Sequence, residues 1–311
     1  MVKISVVVPV YNEAKNVSIL HKRIDDTLKS LTRSYEIIFI DDGSKDQTLK
    51  ELKKLKHVVI IRFRKNFGQS AAMDAGFKQA RGKLIVSMDG DLQNDPADIP
   101  RMVRHLEEND LDVVCGWRHK RKDSFEKRIF SKIANTLRNM LIRDPVHDSG
   151  CSLRVYRREC FEHLDLMGEM HRYIPALLRW QGFSIGEVKV AHYPRKFGKT
   201  KYSATRVVKG FLDLFTVWFW RKFSSRPVHI FGALGLVTAG FGGVLGLYAA
   251  YLKIFYKVNL SNTFLPDIAV FMMLLGVQFF IFGILADIMV KTYYKAHRSA
   301  AYSIKEVIHR R

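Results

Sequence analysis

Five short runs, residues 4–10, 36–41, 58–63, 84–89 and 113–117, are apolar almost throughout and rich in Val and Ile. Between them, residues 15–32, 46–56, 69–80 and 98–109 space their apolar positions as helices do. Strands that do not alternate apolar with polar are covered on both faces. Helices placed between such strands supply the crossovers that parallel pairing needs. The pattern predicts an α/β domain over residues 1–203, a doubly wound, mostly parallel sheet of the nucleotide-binding kind. Asp98 ahead of Ile99-Pro100 reads as a helix start, the carboxylate capping and the proline in the first turn. Residues 152–156 read as a further strand.

The character changes after residue 203. Residues 204–226 carry Val207, Val208, Phe211, Leu212, Phe215, Trp218 and Phe219 at helical spacing, with Trp220-Arg221-Lys222 near the end. An aromatic-rich, basic-ended helix of this kind lies in the plane of a membrane interface. Residues 228–251 hold no Asp, Glu, Lys or Arg, and residues 265–290 hold only Asp267 and Asp287 among charged residues. Each is long enough to cross a hydrocarbon core of ~30 Å, which predicts a two-helix transmembrane hairpin with the two aspartates at headgroup level. Arg221, Lys222 and Arg226 precede it, and Lys291, Lys295 and Arg298 follow it. Only Lys253 and Lys257 stand in the connection. That asymmetry places the catalytic domain, both termini and a basic tail (291–311) in the cytoplasm. Gly232, Gly235, Gly240, Gly242, Gly243 and Gly246 would permit close helix packing, which hints at a homo-oligomer.

Charge narrows the partners. The formal net charge is +21, which suits nucleic acid, anionic lipid or phosphorylated substrates. The basic residues gather in 118–132, 195–201, 221–226 and 291–311. The last two clusters flank apolar segments and no recognition motif appears, so nucleic acid is excluded and lipid and phosphate are favoured. Three cysteines without CxxC spacing give neither a disulfide framework nor a zinc site, and read as reduced thiols. The N-terminus shows no signal-peptide pattern.

Polar residues cluster where the apolar runs stop, the edge at which open α/β sheets bind ligands. Val8-Pro9-Val10-Tyr11-Asn12-Glu13 closes the first run, offering a ring for a base to stack on and a carboxylate for ribose or base nitrogens. Asp41-Asp42-Gly43-Ser44-Lys45-Asp46 closes the second; Asp41 or Asp42 could accept from a base or ribose, while Ser44 and Asp46 could simply cap the next helix. No GxGxxG turn is present, so no dinucleotide cofactor is expected. Asp89-Gly90-Asp91-Leu92-Gln93-Asn94 closes the fourth. Two aspartates around one small residue, with Gln93 as neutral oxygen donor, suit a hard divalent cation held against phosphate oxygens.

VVVPVYNE, IDDGSKD, RKNFGQSAAMDAG and DGDLQNDP stand in the order and spacing of family 2 glycosyltransferases. Within that family the chain resembles the polyprenyl-phosphate enzymes, of the dolichol-phosphate mannose synthase and bactoprenol glucosyltransferase type. The resemblance covers residues 1–203, and the two-helix anchor suits the bactoprenol group. It implies inverting transfer of a hexose from a UDP- or GDP-sugar to a polyprenyl phosphate, with Mg²⁺ or Mn²⁺. Matched by position, it implies that Pro9, Tyr11, Glu13 and Asp42 line the nucleoside and that Asp89 faces the ribose and diphosphate. Asp91 and Gln93 would bind the metal, while Arg195 and Lys201 belong to a mobile basic segment over the diphosphate. Arg118, Lys127, Arg128 and Ser131 would meet the acceptor phosphate. Two positions depart from the pattern: Lys127 stands where an arginine is common, and His171–Pro175 replaces a segment in which mannose synthases present a lysine, with Arg172 as the substitute here.

The basic positions also make sense unaided. A lipid monophosphate has its second pKa near ~6, so it is mostly dianionic at neutral pH and already nucleophilic. What it needs is cationic forks to hold it beside a diphosphate. Asp148, in His147-Asp148-Ser149-Gly150, could act as base, orient the acceptor or order an arginine. His147, His171 and His192 lack paired metal-ligand spacing and read as structural. A polysaccharide synthase is disfavoured because no QxxRW order occurs: Gln181 follows Arg179-Trp180. A silent membrane scaffold is the remaining alternative, and intact acidic motifs speak against it.

Overall fold

A computed structural model describes residues 3–31, 33–118, 146–162, 164, 166, 168, 170–195, 227–296 and 304–310. They form two compact units, the sheet with its helices and an apolar helical pair. The interfacial helix expected at 204–226 lies outside the described residues.

The first unit holds strands β1 (Ile4–Val10), β2 (Tyr35–Asp41), β3 (Val58–Phe63), β4 (Leu84–Ser87), β5 (Val113–Trp117), β6 (Arg154–Arg157), β7 (Ile185–Lys189) and β8 (Ile304–Arg310). Its helices are α1 (Val17–Lys29), α2 (Thr48–Leu52), α3 (Gln69–Gln79), α4 (Ile99–Glu108) and α5 (Ile174–Trp180). The strand order is β7-β5-β6-β4-β1-β2-β3-β8. β4-β1-β2-β3 run parallel, and β5 pairs β7 in parallel. β6 is wedged antiparallel between β4 and β5.

The near-continuous apolar runs are explained by two cores. Val6, Val8, Ile37, Phe39 and Ile60 face α1 and α4, which contribute Leu20, Ile24, Met102 and Leu106. The alternate positions Val7, Ile38, Ile40, Ile61 and Ile85 face α3 and α5, through Ala72, Phe77, Ile174 and Leu178. Each fully buried aliphatic side chain contributes roughly 1.5–3 kcal/mol.

Three details differ from the sequence reading. Asp98 does not cap α4; its carboxylate instead accepts from the Ala191 N–H at 2.7 Å and from Arg101. The capping falls to Asp95, which accepts from the Ala97 N–H in a 3-10 turn, Pro96–Asp98. Two strands escaped the pattern. β7 is only half-buried, so it lacks a continuous apolar run. β8, within the stretch read as a basic tail, pairs antiparallel with β3 from Phe63/Ile304 to Val58/Arg310.

The second unit contains α6 (Pro227–Tyr256) and α7 (Leu265–Ala296), with mean hydropathy of 1.9 and 2.5 over their most apolar parts. By length and composition both could cross a membrane. Their backbones touch. A Cβ on Gly235 would lie 2.6 Å from the Gly276 carbonyl oxygen, and one on Gly276 would lie 2.5 Å from that of Gly235. Gly242 meets the Ala269 carbonyl in the same way. These glycines therefore serve packing within one chain, whereas Gly240 and Gly243 have open space around them. Asp267 sits in the first turn of α7, where a negative charge suits the helix dipole. The helix runs on to Ala296, beyond the apolar span, which ends at Met289, two residues past Asp287.

Candidate active site

The chain winds outward from β1 through β2 and β3, then crosses back to β4 on the other side of β1. That reversal leaves a crevice at the carboxyl ends of β1 and β4, where ligands bind in open sheets. Pairing of the two strands stops at Val7–Ser87. Gly90 lets the acidic turn beyond lie against β1, since a Cβ there would fall 2.6 Å from Val10 Cγ1. Two non-glycine residues at these strand ends, Asn12 and Leu92, adopt positive φ (57° and 64°), the kind of local strain that gathers at functional sites.

Side chains stitch the first two turns together. The Asn12 N–H donates to Ser44 Oγ (3.0 Å), the Lys45 N–H to Asn12 Oδ1 (2.8 Å) and the Glu13 N–H to Thr48 Oγ1 (2.8 Å). Asp46 accepts from the N–H of Thr48, the first residue of α2, as the capping reading expects. Asp42, expected to line the nucleoside, is buried, and its two carboxylate oxygens accept from the N–H groups of Phe67 (2.7 Å) and Gly68 (3.0 Å). It anchors the loop that leads into α3. Asp41 accepts from the Ser44 N–H at 2.9 Å, while its other carboxylate oxygen is buried with no hydrogen bond among the described residues.

The third turn gathers the charges. Asp89 Oδ1 accepts from Gln69 Nε2 (2.7 Å) at the start of α3. Burial, followed by the nearby Asp91 charge, pushes the Asp89 carboxyl above its usual range, against the hydrogen bond from Ser152 and the charges of Arg118 and Arg154. Asp91 is 6 % exposed. Its Oδ1 accepts from the Gln93 N–H (3.1 Å) and its Oδ2 from Arg195 Nη2 (2.7 Å). Arg195 also lies 4.0 Å from Glu13 Oε1, and Glu13 accepts from the Asn16 side chain as well. Residues separated by more than a hundred positions meet because the 190–195 segment lies along the acidic turn. The Tyr193 N–H donates to the Gln93 carbonyl (2.9 Å), and Asn94 bridges to His192.

At the end of β5, Arg118 grips Asp148 with two prongs, Nε to Oδ2 at 2.6 Å and Nη2 to Oδ1 at 2.8 Å. The pair is 12 % and 16 % exposed. Gly150 makes room for it, since a Cβ there would meet Arg118 Nη2 at 2.8 Å. His147 stacks on Trp117 with ring centroids 4.7 Å apart and bonds Glu187. His171 bonds Ser70.

The sequence reading missed two residues here. Gln69 lies in the RKNFGQ stretch, which carried resemblance but no assigned role. Arg154 is 2 % exposed and donates to the carbonyls of Ser149 (2.5 Å) and His171 (3.1 Å). An arginine opening a short strand, ahead of Val155 and Tyr156, was its signal. Lys127, Arg128, Ser131 and Lys201 lie outside the described residues.

The oxygen donors fit a divalent cation only in partnership. Among the described residues, no cluster of three His, Cys, Asp or Glu could hold a metal by itself. Asp89 and Asp91 nevertheless crowd two carboxylates into one half-dry turn, and a hard cation commonly combines one or two such groups with substrate phosphate oxygens.

The crevice thus brings an acidic turn and Arg195 together at the carboxyl ends of a parallel sheet, the edge at which open α/β sheets bind ligands. Residues 5–165 match Glycosyl transferase family 2, and the chain belongs to that family. Two relatives align along 98 % of this chain. Dodecaprenyl-phosphate galacturonate synthase of Rhizobium johnstonii is 39 % identical, with 93 % of its length covered. Undecaprenyl-phosphate 4-deoxy-4-formamido-L-arabinose transferase of Proteus mirabilis is 33 % identical, with 94 % covered. The resemblance read from the motifs is borne out.

The fold matches solved structures at low identity. Mannosyl-3-phosphoglycerate synthase from Rubrobacter xylanophilus gives a TM-score of 0.58 at 16 % identity, over 71 % of this chain and 75 % of that one. Glucosyl-3-phosphoglycerate synthase from Mycobacterium tuberculosis, in complex with Mn²⁺ and UDP-glucose, gives 0.54 at 16 % identity, over 70 % and 78 %.

Proposed function

We propose that this glycosyltransferase moves a hexose, with inversion, from a UDP- or GDP-sugar to a polyprenyl phosphate at the cytoplasmic membrane face. The observation that carries the reading is the meeting of Glu13, Asp91 and Arg195 at the β1/β4 crevice, with Arg118 close enough for its charge to act on Asp89. The relatives' names support the acceptor class, since both speak of polyprenyl phosphates. The apolar helices support work beside a bilayer. The Lys and Arg residues flanking the hairpin support a cytoplasmic catalytic domain.

In this reading Tyr11 and Glu13 meet the nucleoside, and Arg118, ordered by Asp148, holds the acceptor phosphate. A phosphate oxygen attacks the anomeric carbon as the bond to the leaving diphosphate breaks. Asp91, with Gln93 and Asp89 beside it, would hold Mg²⁺ or Mn²⁺, which supplies Lewis-acid neutralisation of charge on the leaving diphosphate. Asp148 serves the arginine and not a proton, because a dianionic phosphate needs no strong base.

The test is full-length protein in detergent with Mg²⁺ or Mn²⁺, undecaprenyl phosphate and a panel of UDP- and GDP-sugars, scored for lipid-linked sugar. Product that depends on both donor and lipid supports the proposal. Transfer to water or a soluble acceptor alone overturns it.

A further inference from the structure

We infer that Arg195 is a resident counter-cation: it occupies the Asp91 oxygen that a divalent metal needs, and so makes metal binding depend on the donor. The inference rests on the proposed use of Asp91 as a metal ligand. A carboxylate only 6 % exposed is costly unless hydrogen-bonded and paired with a cation. In this structure Arg195 Nη2 supplies that pairing at 2.7 Å from Oδ2, with Glu13 4.0 Å from Nη1. Both carboxylates are thus served by one guanidinium.

The attachment of Arg195 suits release. The segment is fastened to the acidic turn at His192 and Tyr193, through the bridge to Asn94 and the bonds with Gln93. Arg195 reaches its partners from two residues beyond, through a side chain 30 % exposed. A diphosphate offers a guanidinium a better, bidentate partner than a single carboxylate oxygen. Donor arrival would therefore free Asp91 Oδ2 and also bring the phosphate oxygens that complete a cation's shell. Metal and donor then favour each other's binding through one side chain, a reciprocal coupling.

The experiment measures Mn²⁺ alone, without nucleotide, binding to detergent-solubilised full-length protein, by the loss of the free-ion paramagnetic resonance signal. Wild type is compared with R195Q, R195K and the double variant D91N/R195Q, each checked to be cooperatively folded at the assay temperature. R195Q is expected to bind Mn²⁺ roughly tenfold more tightly than wild type, as removal of one close competing charge allows. R195K, which keeps the charge, should stay near wild type, and D91N/R195Q should lose the gain. Equal affinity in wild type and R195Q overturns the inference. So does R195K matching R195Q, a gain that survives in the double variant, or no Mn²⁺ binding by wild type and R195Q. No sugar transfer enters the readout, so failure of the proposed activity and failure of this coupling are separately visible.

Discussion

Asp148 and Arg118 are joined by two side-chain hydrogen bonds of 2.6 and 2.8 Å, and the Arg118 N–H adds a third contact to Asp148 at 3.2 Å. The carboxylate is committed to the arginine, so the two should act as one device. R118A, D148A and the double variant are each expected to lose transfer by about 10²–10³-fold, with the double variant no worse than the singles. Initial rates of lipid-linked product provide the check. Losses that multiply in the double variant would separate the residues and return Asp148 to independent chemistry.

Asp91 receives hydrogen bonds from the turn behind it and from Arg195 in front. D91N keeps the shape but removes the charge. Transfer should fall by at least about 10²-fold with little change in thermal stability. A D91N protein working at full rate would dismiss the acidic turn as the centre of the chemistry.

The parallel half of the sheet and its acidic strand ends were legible in the sequence because buried parallel strands are apolar throughout and polar residues appear where they stop. The antiparallel β6 looked like any other strand; nothing local says that it slips between β4 and β5. That Asp42 also anchors the backbone at Phe67 and Gly68 was not legible, because neighbouring aspartates cannot be told apart without the loop that Asp42 holds. The Arg195–Asp91 pair spans two segments whose approach depends on backbone bonds at Gln93 and Tyr193. A periodicity cannot express such a contact. β8 was hidden because its partner, β3, lies on the far side of the hairpin in sequence.

Cys151 lies beneath the Arg118–Asp148 pair, 1 % exposed, and burial pushes its thiol from 9.0 up to about 11. The unfolded chain loses this proton first as pH rises, so folding stability is full below about pH 9 and is lost as the pH rises toward 11. Cys160, raised from 9.0 to about 12 by burial, extends the same trend. Thermal midpoints should drop across this alkaline window, and C151A should flatten part of the drop. An unchanged slope in C151A would dissociate this thiol from the effect.

Gly43 turns the chain after Asp42 with φ of +68°, and a Cβ there would lie 2.5 Å from the Lys65 carbonyl carbon. G43A therefore combines backbone strain with a clash against main chain that has little freedom to retreat. A loss of about 1–3 kcal/mol is expected, read by thermal or denaturant unfolding. A neutral G43A would mean that the 65–68 loop moves freely.

β3 is an internal strand only while β8 covers it, and Val59 and Ile61 are 8 % and 1 % exposed there. Removing residues 304–311 should lower the thermal midpoint and increase self-association through the bared edge. Size-exclusion chromatography of the truncated and full-length proteins in the same detergent checks this. Identical profiles would make β8 dispensable.

The position of β8 in the chain also gives the protein a timetable. During synthesis β1 to β7 emerge first, then the two long apolar helices, and only afterwards the residues that pair with β3. The transferase sheet therefore stays one strand short until the hairpin has been made. Completion of the sheet follows production of the apolar helical pair, and a molecule halted before that point carries an open sheet edge.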